Sequence, residues 1–237
     1  MAARPRLTID IVTLFPSMFT GPFTESLLAR AQKEGLLKIR LHSLREWSDD
    51  PRHGKVDDRL FGGGAGMLIK AEPVVRAIQA LAGKRKRTKP WVVYLSPQGR
   101  VLTQSLAKTL VRKKHLIFIC GHYEGIDERA MKWIDEEVSI GDYVLTGGEL
   151  PAMVVTDAMA RFVPGVVGDP DSVLNDSFSA GLLDTPHYTR PSVWRGRKVP
   201  AVLLSGNHQA IRKWREEKAW EVTRNKKPAL VKSRKRN

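Results

Sequence analysis

The sequence predicts an α/β fold with a mostly parallel sheet that helices cover on both faces. Between Thr8 and Phe162, short apolar runs alternate with segments of helical periodicity. The runs are almost continuously apolar, which is typical of strands buried on both faces of a parallel sheet. Alternation of strands with helices favours the same arrangement, because the helices serve as crossover connections between parallel strands.

The predicted elements follow in chain order. We predict strands at Thr8–Phe15, Leu36–His42, Trp91–Leu95, Leu116–Cys120 and Glu137–Ile140. We predict helices at Phe23–Lys33, Glu72–Ala82, Gln104–Arg112, Ile126–Trp133 and Leu150–Phe162. Gly35 is a typical stop signal after the first helix, while Pro73 and Pro151 are tolerated in the first turns of two others.

The composition changes after Phe162. Residues 163–186 are rich in Gly, Pro, Asp and Ser, which predicts a linker that is functional or mobile. One basic helix is predicted at Asn207–Thr223, with Trp214 and Trp220 available for packing. We therefore predict three parts: a domain at 1–162, a linker at 163–186 and a small all-helical domain at 187–237.

The charge of the chain predicts a polyanionic partner. The sequence has 40 lysines and arginines against 25 acidic residues, a net charge of +15. The positive residues cluster at Lys84–Lys89 and in a C-terminal run from Arg224 to Arg236, which favours contacts with phosphates. A generally basic, solvated surface is the alternative, and charge alone does not distinguish RNA from DNA or anionic lipid.

The remaining bulk features predict a cytoplasmic protein. Cys120 is the single cysteine, so no disulfide forms within the chain, and no Cys/His cluster has zinc-site spacing. No stretch approaches 18 continuous apolar residues, and no apolar segment follows the arginines near the N-terminus. We expect neither a signal peptide nor a membrane span.

Three predicted strands end in turns of unusual composition. The turns begin at Ser96, Gly121 and Gly141, and each contains glycine. Ligands of open α/β sheets bind at the carboxyl ends of strands, and glycine lets the backbone approach a ligand closely. Any one of these turns is also compatible with an ordinary connection. The three together predict one binding crevice.

Two common nucleotide sites are disfavoured. No G-x-G-x-x-G follows the first strand, and no G-x-x-x-x-G-K-[ST] is present, which argues against a Rossmann dinucleotide site and a P-loop. The glycine-rich run Gly62–Gly66 lies outside the context of either motif, so a flexible surface loop is its structural alternative.

The ordered motifs of the chain resemble those of the bacterial tRNA (guanine-N1)-methyltransferases that modify position 37, members of the knotted SPOUT class. The resemblance extends from about Thr8 to the basic helix. The matching segments are DIVTLFPSMF, VDDRLFGGGAGM, YLSPQGR, CGHYEGIDER, SIGDYVLTGGELPAM, RFVPGV, DSF, GLLDTPHYTRP and VLLSGNH. Chance agreement in so many ordered segments is negligible. His122 departs from members that carry arginine there, and the basic C-terminal end is variable in the family.

The resemblance implies a fold and a methyl donor that spacing does not reveal. It implies a deep trefoil knot in the C-terminal part of the parallel-sheet domain, with three loops that hold S-adenosylmethionine. The implied cofactor-binding residues are Leu95, Ser96, Pro97, Gly121, Glu124, Ile140, Gly141, Asp142, Tyr143, Val144, Leu145, Gly147 and Pro151. It also implies a homodimer with shared active sites, and the tRNA anticodon arm as substrate.

Family members depend on magnesium, but no dedicated metal-ligand cluster is visible in the sequence. We expect any magnesium ion to sit with RNA or substrate rather than in a protein cage.

The resemblance also implies the catalytic residues. Guanine N1 carries a proton that a carboxylate must remove, and negative charge then develops on O6, where a guanidinium stabilises it. The family pattern places the base at Asp176 and the guanidinium at Arg161, with Glu124 facing the positive charge of the cofactor. The structural alternatives are a helix N-cap for Asp176, an ion pair with Asp157 for Arg161, and an exposed turn carboxylate for Glu124.

Two further functions compete with this interpretation. A knotted methyltransferase that modifies another RNA site would belong to the same class, but the VDDRLFGGGAGM loop and the pair Asp176 and Arg161 argue against it. A non-catalytic RNA-binding protein with the same fold would be expected to lack Asp176, Arg161 or the glycine loops, and the sequence retains all of them.

Overall fold

The computed structural model describes residues 5–50, 52–83, 89–169, 172–173 and 176–234. The chain divides into two compact units, Met1–Gly168 and Asp169–Asn237, and each is described by itself. The predicted linker 163–186 spans this division, and its residues 170, 171, 174 and 175 lie outside the described residues. The predicted domain limits stay predictions.

The first unit is built on a five-stranded parallel sheet. Its strands in chain order, with two short strands between them, are β1 (Leu7–Thr13), β2 (Leu37–Ser43), β3 (Asp57–Asp58), β4 (Leu68–Ile69), β5 (Trp91–Val101), β6 (His115–Cys120) and β7 (Glu136–Ser139). The sheet order is β2-β1-β6-β5-β7, with every neighbouring pair parallel, while β3 and β4 form a separate antiparallel pair. The predicted mostly parallel α/β sheet is confirmed.

Helices cover both faces of this sheet. They are α1 (Ser26–Lys33), α2 (Ala71–Ala82), α3 (Gln104–Val111) and α4 (Glu149–Ala160), with 3-10 turns at Pro16–Phe19, Leu44–Trp47 and Glu128–Trp133. One buried cluster joins Ile9 and Ile11 to α1, α3 and α4. A second joins Val12 and Ile117 to α2 on the opposite face. Side chains alternate between the faces of a strand, so β1 contributes to both cores.

The predicted helix at Phe23–Lys33 begins three residues later, at Ser26, and two other predicted elements differ more. The helix predicted at Ile126–Trp133 is a 3-10 turn, because Ile126 pairs with Ile69 and Asp127 caps the turn by accepting from the Arg129 N–H. The strand predicted at Trp91–Leu95 continues to Val101, since β5 resumes its pairing with β7 at Arg100 after a register shift.

A buried carboxylate joins three strands on the α2 face of the sheet. Asp10 is fully buried and accepts hydrogen bonds from Arg40 Nε at 2.6 Å, His42 Nε2 at 2.7 Å and His115 Nε2 at 2.7 Å. Burial alone would raise the pKa of Asp10, but the hydrogen bonds from His115, Arg40 and His42 outweigh it and hold the pKa well below its usual range.

The second unit combines helices with one short hairpin. Its elements are β8 (Val193–Trp194), β9 (Arg197–Lys198), α5 (Ala201–Leu204), α6 (His208–Lys226) and α7 (Pro228–Arg234). The predicted basic helix corresponds to α6, which begins after Asn207 because that side chain accepts from the Ala210 N–H at 3.0 Å. The antiparallel β8–β9 pair is absent from the all-helical prediction, since two-residue strands leave no periodic signal.

None of the helices in the described residues combines the length and the apolar character that a membrane-spanning segment needs.

Candidate functional site

A cavity of about 440 Å³ opens at the carboxyl ends of β6 and β7 and beside the register shift within β5. These strands are neighbours in the sheet, so the segments that follow β6 and β7 converge with the polar stretch inside β5. We call these segments the first loop (Ser96–Arg100), the second loop (Gly121–Gly125) and the third loop (Gly141–Gly148). The predicted crevice at three strand ends is present as a single cavity.

All of the predicted cofactor residues except Asp142 line this cavity. Asp142 is exposed and does not contribute to the lining. Further lining residues that the sequence did not single out are Tyr94, Gln98, His122, Tyr123, Gly125, Ile126, Glu128, Met131, Glu137, Val138, Ser139, Thr146 and Gly148. Most belong to the same loops or strand ends, so strand-end position was the available signal. The binding roles of all these residues stay predictions.

The second and third loops are in backbone contact. The Gly148 N–H donates to the Gly121 carbonyl at 2.8 Å, and His122 forms a β-bridge with Gly147. A Cβ atom added at Gly148 would lie 2.8 Å from Cys120 Cα and 2.9 Å from Gly121 N. Both atoms belong to the backbone and cannot move aside alone, so only glycine allows this approach.

The first loop passes close to β7. A Cβ atom added at Gly99 would lie 2.7 Å from the Glu137 carbonyl oxygen and closer still to the Val138 nitrogen. The Ser96 hydroxyl accepts from the Gln98 N–H at 3.1 Å, which shapes the turn before the strand resumes. Glycine at position 99 therefore permits the crossing between the first loop and β7.

Tyr94 is a buried residue of the cavity lining. Burial is the main cause that raises the pKa of Tyr94 to about 12, and the negative charge of Glu137 is the second cause. Its hydroxyl would lie 2.8 Å from a Cβ atom added at Gly121. Tyr94 is therefore a neutral hydrogen-bonding group at physiological pH, and it leaves no room for a side chain at position 121.

The second loop also forms backbone hydrogen bonds with the segment that directly follows the glycine-rich run Gly62–Gly66. The Glu124 N–H donates to the Met67 carbonyl at 3.1 Å, and the Ile69 N–H donates to the Gly125 carbonyl at 3.1 Å. Gly66 has φ +95°, and a Cβ atom added there would lie 2.6 Å from Glu124 Oε1. The C-terminal end of the run is thus packed against a cavity residue, while the rest of the run is exposed, as expected of a surface loop.

Of the predicted catalytic residues on the first unit, Glu124 lines the cavity and Arg161 does not. Arg161 is half-buried and directly follows α4, whereas Pro151 near the start of α4 does line it. With a rise of 1.5 Å per residue, Arg161 lies about 15 Å from Pro151 along the helix. Asp176 is partly buried in the second unit.

Exposed positive side chains on the second unit lie on α6 and in the β8–β9 segment before it. Arg212, Lys213, Arg215 and Arg224 are exposed along α6. The predicted basic residues at 84–87 and at 235–236 lie outside the described residues, while Lys89 forms an ion pair with Asp135 at 3.4 Å. Helix α6 is therefore one described part of the basic surface that the charge analysis predicted.

The described residues contain no group of three or more His, Cys, Asp or Glu side chains that could hold a metal ion.

Comparison with known proteins gives one consistent result. The family model described as tRNA (Guanine-1)-methyltransferase TrmD matches residues 7–233. A relative from Endomicrobium trichonymphae is 52% identical over 95% of this chain and 100% of its own length. Relatives from Protochlamydia amoebophila and Geobacter metallireducens are 53% and 52% identical over 95% of this chain, and over 100% and 91% of their own lengths. All three are named tRNA (guanine-N(1)-)-methyltransferase.

Proposed function

The chain belongs to the tRNA (guanine-1)-methyltransferase family, and we propose that it transfers a methyl group from S-adenosylmethionine to N1 of guanine 37 in tRNA, 3′ of the anticodon. Identity above 50% over nearly the whole chain supports the reaction type and the tRNA substrate. The observation that carries the proposal is the single cavity formed by the three glycine-containing loops.

The cavity suits the proposed methyl donor in size and in chemistry. A volume of about 440 Å³ lies within the range of roughly 300–1,000 Å³ that is typical of small-molecule sites. Apolar side chains such as Leu95, Ile140 and Val144 alternate with backbone and polar groups in the lining. His122 also lines the cavity, and its buried Nδ1 atom has no hydrogen-bond partner among the described residues.

We assign S-adenosylmethionine to the predicted lining residues of the three loops, and we infer that these loops are threaded as the trefoil knot of the SPOUT class. When bound, S-adenosylmethionine supplies a methyl group activated by its sulfonium. The glycine contacts hold the second and third loops together before any ligand arrives, so little ordering is required on binding. Glu124 offers a carboxylate to the positive charge of the donor.

The chemistry at guanine requires a base and a cation. Asp176 accepts the N1 proton, which frees the N1 lone pair for attack on the methyl group. Arg161 stabilises the negative charge that develops on O6, an interaction that strengthens toward the transition state. The loops supply the remaining catalytic factor by aligning the methyl donor with N1.

The position of Arg161 supports an active site shared between two chains. Arg161 lies about 15 Å from the cavity residue Pro151 along α4, beyond the reach of its own side chain. A second protomer that packs against α4 would supply an arginine to this cavity. The exposed apolar side chains of Leu150 and Val154, one turn apart on α4, provide a surface for such packing. We therefore propose a homodimer.

We propose that the basic surface of α6 and the segment around Asp176 hold the anticodon arm of the tRNA. Exposed arginines on α6 suit phosphate contacts. The target guanine must leave its stack to reach a recessed methyl donor, so base flipping is expected. Action on tRNA also makes the cytoplasm the proposed location, and any magnesium ion is expected to accompany the RNA.

Replacement of the base tests this mechanism. We expect Asp176→Asn to bind S-adenosylmethionine within about threefold of wild type but to lose at least about 10²-fold in turnover, because the amide cannot accept the N1 proton. Labelled methyl transfer to tRNA, with the product identified as 1-methylguanosine, gives turnover, and calorimetry gives the affinity. Glu25→Gln, which changes an exposed carboxylate just before α1, is the control. Normal turnover by Asp176→Asn would reject the assignment.

A further inference from the structure

A buried carboxylate lies beside the cavity without a role in the mechanism above. Glu149 is the first residue of α4 and directly follows the third loop, yet it is only 1% exposed. The hydroxyl of Thr13, the last residue of β1, donates to Glu149 Oε1 at 2.7 Å. A buried carboxylate is costly unless it is hydrogen-bonded, so this contact fixes the start of α4 against the end of β1.

The Thr13 hydroxyl uses both of its hydrogen-bonding capacities. It donates to Glu149, and it accepts from the Phe15 N–H at 2.9 Å. Thr13 is completely buried. Loss of this hydroxyl therefore leaves a carboxylate oxygen and a backbone N–H without their partner in a water-poor environment, and the surrounding backbone must shift to satisfy them.

The second carboxylate oxygen of Glu149, Oε2, packs against Gly147 in the third loop. A Cβ atom added at Gly147 would lie 2.7 Å from His122 Nδ1 and still closer to Glu149 Oε2. Burial is the main cause that raises the pKa of the Cys120 thiol well above its usual range, and the negative charge of Glu149 is the second cause. The Glu149 carboxylate thus lies against the end of β1 and the third loop, and its charge acts on the end of β6.

Glu149 also occupies the first turn of α4. The first turn of an α-helix presents unpaired N–H groups and the positive end of the helix dipole, which attract negative charge. Glu149 and Thr13 themselves do not line the cavity, whereas Gly147, Gly148 and Pro151 do. Any influence of the pair on a ligand must therefore pass through the backbone of the third loop and the start of α4.

We propose that Thr13 and Glu149 are positioning residues that set the third loop for binding of S-adenosylmethionine. The inference rests on the proposed function for the identity of the ligand. The hydrogen bond from the Thr13 hydroxyl to the Glu149 carboxylate connects β1 to the start of α4. The same carboxylate packs against Gly147. The third loop keeps its contact with the second loop because this pair holds it there.

Two substitutions at Thr13 separate positioning from packing. Thr13→Val keeps the branched shape and removes the hydroxyl, whereas Thr13→Ser keeps the hydroxyl and removes the methyl group. If the hydroxyl positions the loop, Thr13→Val weakens S-adenosylmethionine binding about tenfold and Thr13→Ser stays within about threefold of wild type. If Thr13 only fills space, the order is reversed. Calorimetry measures both affinities at a temperature where each variant is folded.

Hydrogen exchange without ligand provides a second readout. We expect Thr13→Val to increase exchange in peptides that cover residues 140–152, including the Gly148 N–H that donates to Gly121, while Thr13→Ser leaves it unchanged. Glu149→Leu removes the acceptor from the other side and should reproduce both effects of Thr13→Val. The double variant Thr13→Val/Glu149→Leu should bind no more weakly than the weaker single variant, since each breaks the same contact.

The outcomes distinguish this inference from the proposed function. Wild-type affinity and wild-type exchange in both Thr13→Val and Glu149→Leu would overturn the positioning role. Failure of the wild-type protein to bind S-adenosylmethionine would instead overturn the proposed function, and the exchange comparison would still decide whether the pair holds the third loop.

Discussion

Replacement of Gly148 by alanine tests the contact between the second and third loops. Gly148 caps α4 with φ −81° and ψ −2°, a conformation that alanine adopts without strain. The effect of Gly148→Ala therefore comes from contact alone. The new Cβ atom would lie 2.8 Å from Cys120 Cα and 2.9 Å from Gly121 N, whereas carbon atoms normally approach to about 3.5–4.0 Å.

The size of the expected loss of affinity follows from the backbone atoms that must move. Both obstructing atoms belong to the backbone at the end of β6, so the loops must separate by roughly 1 Å. Overpacking of this kind costs about 1–3 kcal/mol, and stretching the 2.8 Å bond from the Gly148 N–H to Gly121 adds about 1 kcal/mol. A total of about 2–4 kcal/mol predicts affinity for S-adenosylmethionine at least about 30-fold weaker than that of wild type.

Calorimetric titration of the folded variant measures this loss, with far-ultraviolet circular dichroism as the check on folding. Gly168→Ala is the matched control, because a Cβ atom at Gly168 meets nothing within 4 Å. We expect the control to bind like wild type. If folded Gly148→Ala binds S-adenosylmethionine within threefold of wild type, the close approach of the two loops is not what shapes the site.

Two further predictions concern stability and RNA binding. Asp10→Asn should lower the free energy of unfolding at pH 7 by about 3 kcal/mol, because Arg40, His42 and His115 lose a buried anionic acceptor. The folded-state pKa of Asp10 is depressed, so this stabilisation is present above about pH 4 and is lost at lower pH; the difference from wild type should narrow there. Urea unfolding at pH 7 and pH 3 checks this, and equal stabilities at pH 7 would contradict it. Affinity for tRNA should fall at least about 10²-fold between 50 and 200 mM salt, because the phosphate contacts that we propose for α6 release counterions. Filter binding measures this affinity, and a flat salt response would argue against phosphate contacts.

The sequence predicted the strands of the sheet well because they are apolar and short. The predicted limits of β1, β2, β6 and β7 lie within two residues of those observed. The continuation of β5 was missed because Ser96–Arg100 is polar and contains proline and glycine, which locally favour a turn. Pairing with β7 after a register shift overrides that local preference.

Most of the candidate site could be predicted from position along neighbouring strands. The second and third loops follow β6 and β7, and the first loop begins where the apolar run of β5 ends. The Thr13–Glu149 pair could not be predicted, since its members lie 136 positions apart and neither residue type signals a partner. Asp142 lies in the third loop but not in the cavity lining, because the direction of a loop side chain depends on backbone angles that composition does not specify.

Methyl transfer to two tRNA transcripts that differ only at position 37 tests the central claim most directly. The purified protein is incubated with labelled S-adenosylmethionine and a transcript with guanine or adenine at that position. We predict that label enters only the guanine transcript and is recovered as 1-methylguanosine. Equal labelling of both transcripts would move the target to another RNA site, and labelling of neither, with RNA still bound, would contradict the methyltransferase mechanism and favour an RNA-binding protein.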